Sequence, residues 1–351
     1  MSDHLVNDLL GQIDQQMRSV VDAAERDADG LFGPDDLHLY NVVRYHLGWV
    51  DERFIPVQSD PGKRIRPVFC MLATAAAGGD PRTALPVSAG IELLHNFTLM
   101  HDDIQDRSEL RRGRPTIWRR WGEAQAINAG DATFALSQLA VFESAKAGLD
   151  SLTIADLAVK FNSMTLKIVE GQVLDLGFEK RSDVRPGEYL QMISGKTAAI
   201  VAYASWAGAR IAGCDASSAN WWKELGRLLG LGFQIRDDHL GIWGDEASTG
   251  KQPGDDIRGR KQSIPIILLQ QELNDLERAE LRDIYARNSV DEADVSRVTA
   301  MLDQYEIAGK MQAMTEDYHA RGLLILDQIA EPGAARDAMA GLAEQLVDRS
   351  R

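Results

Sequence analysis

The segment T-A-A-I-V-A-Y-A-S-W-A-G-A-R-I-A-G at 197–213 is apolar around most of its helical circumference. A helix of that kind cannot rest on a surface and must be surrounded by other helices. The same helical period dominates the chain from end to end, and long alternating strand patterns are absent. The pattern predicts helices over 3–28, from Pro34-Asp35-Asp36 to about Phe54, and over 65–78 and 82–105. Long helices follow at about 123–147, 152–178, 187–213 and 217–243, then an irregular loop at 244–262 and shorter helices. No repeat of solenoid period, low-complexity tract or interdomain linker is present. The economical architecture is all-α: one large helical bundle over residues 1–351, built around a central cavity.

Composition narrows the partners. With 44% hydrophobic and 26% charged residues, the 351-residue chain is an ordinary globular sequence with a sizeable core. Cys70 and Cys214 have no C-x-x-C neighbours, so neither a disulfide framework nor a structural zinc site is expected. No run approaches the roughly twenty apolar residues that span a bilayer. The N-terminus lacks a signal-peptide core, and the expectation is a cytoplasmic protein. A net charge of −15 argues against nucleic acid as a partner. Against that acidity, Lys63, Arg64, Arg66, Arg111, Arg112 and Arg114 fall in two short loops, a pattern suited to a small anion.

Two acidic clusters carry the chemistry, H-D-D-I-Q-D at 101–106 and R-D-D-H-L-G at 236–241. Like charges one and four positions apart weaken a helix, and negative charge at a helix C-terminus opposes the macrodipole. A hard divalent cation resolves both costs, since Mg²⁺ takes one or two carboxylates plus phosphate oxygens. On α-helical geometry Asp102 and Asp106 share a face and Asp103 turns about 100° away, towards a supporting role. His101 and His239 lie beside the carboxylates without a third nitrogen or sulfur ligand, so packing suits them better than zinc. Trp221-Trp222 reads as core or interface packing.

Taken in order, His95…His101-Asp102-Asp103-x-x-Asp106…Arg111-Arg112-Gly113-x-Pro115-Thr116 resembles the first aspartate-rich motif of the trans-isoprenyl diphosphate synthases (polyprenyl synthetases). G-K-R-x-R-P at 62–67 is similar to their isopentenyl diphosphate motif. G-Q-V-L-D at 171–175, G-K-T at 195–197, F-Q-I-R-D-D at 233–238 and G-K-Q-P-G-D-D at 250–256 follow in family order. The resemblance covers about residues 60–265. It implies a prenyltransferase that condenses isopentenyl diphosphate with an allylic diphosphate (dimethylallyl, geranyl or farnesyl), and a homodimer with an interface helix near 123–147.

Residue by residue, the resemblance implies that Asp102, Asp106 and Asp237 hold about three Mg²⁺ ions on the allylic diphosphate, with Asp103 and Asp238 beside them. Arg111, Lys196 and Lys251 would clamp the same diphosphate. Lys63, Arg66, His95 and Arg112 would bind isopentenyl diphosphate without metal. Gln234 and Thr197 would face the allylic carbon, and Gly195 offers a helix irregularity that frees carbonyls there. Three positions depart from the family: Gly241 replaces the usual third aspartate of the second motif, Trp118 a common His, and Pro61 a common Gly. Asp245 could assist through water if the helix continues.

The resemblance also implies a tunnel for the growing hydrocarbon beside the first motif. Thr98 and Leu94 lie one and two turns before Asp102 on one stripe, and Phe97 is the bulky candidate for the floor. That pattern is closest to geranylgeranyl diphosphate synthases, with farnesyl or mixed short-chain products as the alternative. A class I terpene cyclase is disfavoured: at four-residue spacing the chain reads Asp237, Gly241 and Asp245 in place of an N/D…S/T…E triad, and G-K-R-I-R-P would have no purpose. A noncatalytic partner subunit would be expected to carry a degraded first motif, and this one is intact.

Overall fold

The computed structural model describes residues 2–28, 37–57, 64–179, 181–244 and 252–347, without the side chains of 2–5, 346 and 347. Among these the chain is all-α apart from one hairpin of two-residue strands and an isolated bridge between Val50 and Pro56. The chain divides into two compact units. The first comprises Met1–Val159, Ala207–Asp215 and Glu331–Ala338, the second Lys160–Trp206, Ala216–Ala330 and Met339–Arg351. The family motif before residue 120 falls in the first unit, and the later motifs fall in the second.

In the first unit, α1 (Ser2–Arg26) buries Leu9, Ile13, Met17 and Val20, a stripe at helical spacing. The next helix, α2 (Leu39–His46), is much shorter than the periodicity suggested. Gly48 at φ +78° lets the Trp49 N–H reach the Arg44 carbonyl and its own N–H the Tyr45 carbonyl, a Schellman stop. The predicted start of this helix at Pro34 lies outside the described residues. α3 (Ile65–Ala76) and α4 (Leu85–Gln105) follow, then β1 (Leu110–Arg111), β2 (Arg114–Pro115), α5 (Ile117–Trp121) and α6 (Glu123–Phe142). α4 packs along α6 so closely that a Cβ on Gly90 would lie 2.9 Å from the Ser137 carbonyl.

The chain passes into the second unit within α7 (Ser151–Phe178). The predicted helix over 187–213 is three pieces: α8 (Pro186–Ile193), a π-helical turn at Ser194–Ala198, and α9 (Ala199–Ile211). α10 (Ala216–Trp243), α11 (Asp255–Arg258), α12 (Ile264–Glu272), α13 (Asp275–Tyr285), α14 (Glu292–Gln304), α15 (Ile307–Ile329) and α16 (Ala334–Val347) complete the chain. Asn274 and Asp291 cap α13 and α14 through capping boxes. Leu231 and Ile235 of α10 join Ile264, Ile267, Val298, Met301 and Met311 in the core of this unit. No described helix is long and apolar enough to cross a membrane.

Candidate active site

The first acidic cluster closes α4. Asp106 caps the helix, its N–H on the Asp102 carbonyl, and its side chain is exposed while Asp102 is half-buried. Asp103 points the other way and is buried. There its carboxylate receives Arg111 Nε at 2.9 Å and Nη2 at 2.7 Å. Burial raises the Asp103 pKa, and the Arg111 guanidinium opposes the rise. Arg111 therefore cannot act as a freestanding clamp: Nε and part of Nη2 are committed to Asp103, and the Nη1 edge carries no bond to it.

The R-R-G-R run is a hairpin. Leu110 pairs with Pro115 and Arg111 with Arg114, leaving Arg112 (φ +51°) and Gly113 (φ +74°) as a two-residue turn. Positive φ at both positions is the type I′ signature. Asn or Gly is usual at the first of them, so arginine there is held against its preference. Thr116 Oγ1 and the Trp118 indole both donate to the Ser108 carbonyl and tie the base of the hairpin. Trp118 thus has a structural task that explains its presence.

Not every arginine of the two basic loops faces an anion. Arg64 is buried on Asp14 at 2.8 Å. Burial works to raise the Asp14 pKa, but hydrogen bonds from Arg18 and Arg64 outweigh it and hold the carboxyl below its usual range. Arg114 donates to the Val50 carbonyl at 2.7 Å and stacks on Tyr45. Both are internal ties, which corrects the expectation that all six basic residues form anion sites. Arg66, Arg111 and Arg112 lie near His95. Burial holds the His95 imidazole well below its usual pKa, reinforced by Arg66, Arg112 and Arg111, so it is neutral. His46, pushed down to about 3 by burial and then by Arg111 and Arg112, lines a small pocket with those two arginines. Lys63 and Pro61 lie outside the described residues.

Phe97 lies between the rings of His101 (centroids 4.8 Å apart) and Phe134 (5.3 Å). Thr98 is half-buried, its hydroxyl on the His95 carbonyl. Leu94 has no accessible surface and packs inside the unit. His101 lies over Gly130, where a Cβ would come within 2.3 Å of Nε2.

In the second unit the G-K-T segment is the π turn. A Cβ on Gly171 of α7 would lie 2.3 Å from the Lys196 N, and one on Gly195 would lie 2.6 Å from the Lys167 carbonyl. The glycines of G-Q-V-L-D and G-K-T therefore exist to let α7 and the π turn touch backbone to backbone. π turns interrupt the regular i→i−4 ladder, the irregularity expected at Gly195. Lys196 Nζ meets Asp175 Oδ2, and Thr197 Oγ1 donates to Gln234 Oε1 at 2.8 Å. Gln234 Nε2 donates to Asp238 Oδ1 at 2.9 Å, and the Tyr189 hydroxyl donates to Asp238 Oδ2.

Asp238 is buried with both oxygens bonded. Burial pushes its carboxyl up to about 7, against the bonds from Tyr189 and Gln234. Asp238 therefore orients Gln234, with both carboxylate oxygens taken by Tyr189 and Gln234. Asp237 beside it is exposed. Tyr189 and Asp175 went unassigned in the sequence because each lies far along the chain from its partner, Asp238 for Tyr189 and Lys196 for Asp175.

Gly241 also finds its reason. A Cβ there would lie 2.5 Å from Asp256 Oδ2, so the buried Asp256 carboxylate occupies the room a side chain at 241 would need. A carboxylate reaches this turn of α10 from α11 instead. Asp245 and Lys251 lie outside the described residues. His239 packs on Trp243, with centroids 4.8 Å apart, and Trp222 is buried while Trp221 is exposed.

Among the described residues no three His, Cys, Asp or Glu side chains gather closely enough to hold a metal unaided. Asp102 and Asp106, with oxygen donors only, fit Mg²⁺ shared with phosphate oxygens and do not fit an all-protein zinc cage.

These features define an all-helical protein with acidic clusters on two of its helices and, in the first unit, arginines gathered about neutral histidines. The chain belongs to the polyprenyl synthetase family, whose model matches residues 48–302. It is 43% identical over 231 residues to a (2E,6E)-farnesyl diphosphate synthase of Mycobacterium tuberculosis, covering 66% of this chain and 63% of that protein. Geranylgeranyl pyrophosphate synthetase of Pyrococcus horikoshii superposes with a TM-score of 0.84 at 30% identity, over 99% of this chain and 98% of that one. Polyprenyl synthase of Caulobacter crescentus, solved with calcium and isoprenyl diphosphate, gives 0.79 at 26% identity over 99% and 97%.

Proposed function

We propose that this chain is a trans-prenyltransferase, condensing isopentenyl diphosphate with an allylic diphosphate head to tail. The allylic C–O bond breaks, the double bond of isopentenyl diphosphate forms the new C–C bond, and the departing diphosphate removes the final proton. Asp102, Asp106 and Asp237 would hold the Mg²⁺ ions, about three, whose charge stabilises the leaving diphosphate when they are bound. The observation that carries the reading is the π turn, which sets Lys196 and Thr197 on one short stretch, with the Thr197 hydroxyl donating to Gln234 of α10. A cation forming beside those oxygens is stabilised without reorganisation. Arg66, Arg112 and neutral His95, with Lys63, suit a second diphosphate bound without metal.

We infer a mainly twenty-carbon product, on Phe97 as the floor. The identity with a farnesyl diphosphate synthase favours fifteen carbons as the second reading. A homodimer is supported by the exposed stripe Leu152, Val159, Leu166 and Val173, seven residues apart along α7, and by exposed Ile127, Leu139 and Phe142 on α6. Incubation with Mg²⁺, isopentenyl diphosphate and each allylic diphosphate, with chromatography of the dephosphorylated products, tests the proposal. Linear C15 or C20 alcohols are expected. Cyclic hydrocarbon formed without isopentenyl diphosphate, or no turnover at all, would contradict it.

A further inference from the structure

The second unit holds a pocket of about 450 Å³ that contains none of the residues assigned to prenyl transfer. Its wall carries three guanidiniums, Arg181, Arg260 and Arg282, against one carboxylate, Glu179. Arg181 is matched by Asp183 and Glu188 just outside the lining, so the positive character of the pocket rests on Arg260 and Arg282 against Glu179. Leu281 and the ring of Tyr285 give the pocket an apolar side. Its volume lies in the range of small-molecule sites and exceeds what one inorganic ion fills.

Two of the arginines are held in place by other groups. Arg260, at φ +53°, donates to the Arg287 carbonyl at 2.6 Å. Arg181 is braced by Asp183 at 2.9 Å and by Glu188 at 3.0 Å. Arg282 is exposed at the rim. Between Arg260 and Gln262 the chain turns Lys261 away, to Asp256 at 3.4 Å, so this segment presents different side chains in two directions. Planar forks fixed by neighbouring groups suit the oxygens of phosphate and diphosphate.

We propose that this pocket is a further oxyanion site, separate from the residues of prenyl transfer, that takes a phosphate- or diphosphate-bearing small molecule. The source is either free diphosphate or a diphosphate ester whose organic part lies on Tyr285 and Leu281. The full-length protein in EDTA is titrated with inorganic diphosphate and, separately, with adenosine diphosphate as a planar ester. Hydrogen–deuterium exchange of peptides over 181–190 and 259–287 locates the binding. Arg282→Glu and Ser182→Glu both alter exposed rim positions, and circular dichroism checks that each keeps the wild-type fold.

The expected result is slowed exchange in both segments and a Kd raised at least about tenfold in each variant. Tighter binding of the nucleotide than of inorganic diphosphate identifies an ester; the reverse identifies the free anion. Either ligand leaving these segments unprotected, or binding both variants as tightly as wild type, overturns the proposal if the other ligand does the same. Prenyl transfer by the variants stays within about twofold of wild type, because no residue of the reaction is touched. The two readings separate cleanly. A wild-type protein that protects the pocket yet forms no prenyl product refutes the prenyltransferase and leaves the oxyanion site standing.

Discussion

Gly171→Ala tests whether backbone contact between α7 and the π turn sets the reacting geometry. The added Cβ would lie 2.3 Å from the Lys196 N and 2.8 Å from its Cα, about 1.1 Å short of the 3.4 Å at which ordinary contact begins. No flexible side chain can yield, since the obstructing atoms are backbone. The π turn must move, at a cost of about 1–3 kcal/mol for overpacking. A shift of that size carries Lys196 and Thr197 with it, and a misplacement of about 1 Å costs on the order of 100-fold in rate. Steady-state assays should show kcat down by about that factor. KM for isopentenyl diphosphate should change little, because Arg66, His95 and Arg112 belong to other elements. Gly177→Ala, on the same helix with nothing within 4 Å, is the control and should match wild type or gain slightly in stability. Wild-type kcat in Gly171→Ala would refute the reasoning.

Phe97→Ala removes the ring between His101 and Phe134 and should lengthen the products seen by chromatography; unchanged length would show that Phe97 only packs. His46 ties stability to pH. Its folded pKa of about 3 lies below the ordinary 6.5, so the unfolded chain binds the extra proton and stability falls as pH drops below 6.5. At pH 5.5 the loss is at most about 1.4 kcal/mol, reduced by the partial exposure of the ring. Urea midpoints at pH 7.5 and 5.5 should therefore draw closer together in His46→Gln; equal losses in both proteins would remove His46 as the cause. Leu166→Asp with Val173→Asp puts two charges on the exposed stripe of α7 and should yield monomers by analytical ultracentrifugation, whereas dimers of undiminished affinity would place the interface elsewhere.

Much of this was legible in the sequence, for reasons that particular residues make plain. α10 ends where the period of 217–243 said it would, because a long apolar stripe is a local signal. The irregularity at Gly195 was legible because glycine beside a functional segment marks close approach, although the identity of the touching partner, Gly171 of α7, was not. α2 stopped early because Gly48 acts through a Schellman pair that the hydrophobic pattern does not register. The basic loops misled in part: whether a guanidinium serves an anion or a tie depends on Asp14, Tyr45 and Val50, all far from it in the chain. The tie at Asp238 was hidden likewise, since its partner Tyr189 lies 49 positions away. Periodicity reports faces, and it does not report which distant residue meets them.

The most direct test of the central claim follows inorganic diphosphate released from geranyl diphosphate and isopentenyl diphosphate while Mg²⁺ is titrated into the metal-free protein. The account predicts no release in EDTA, one diphosphate per isopentenyl diphosphate consumed once Mg²⁺ is restored, and a loss of at least about 100-fold in Asp102→Asn and in Asp237→Asn. Release at the wild-type rate in EDTA, or in either variant, would contradict it.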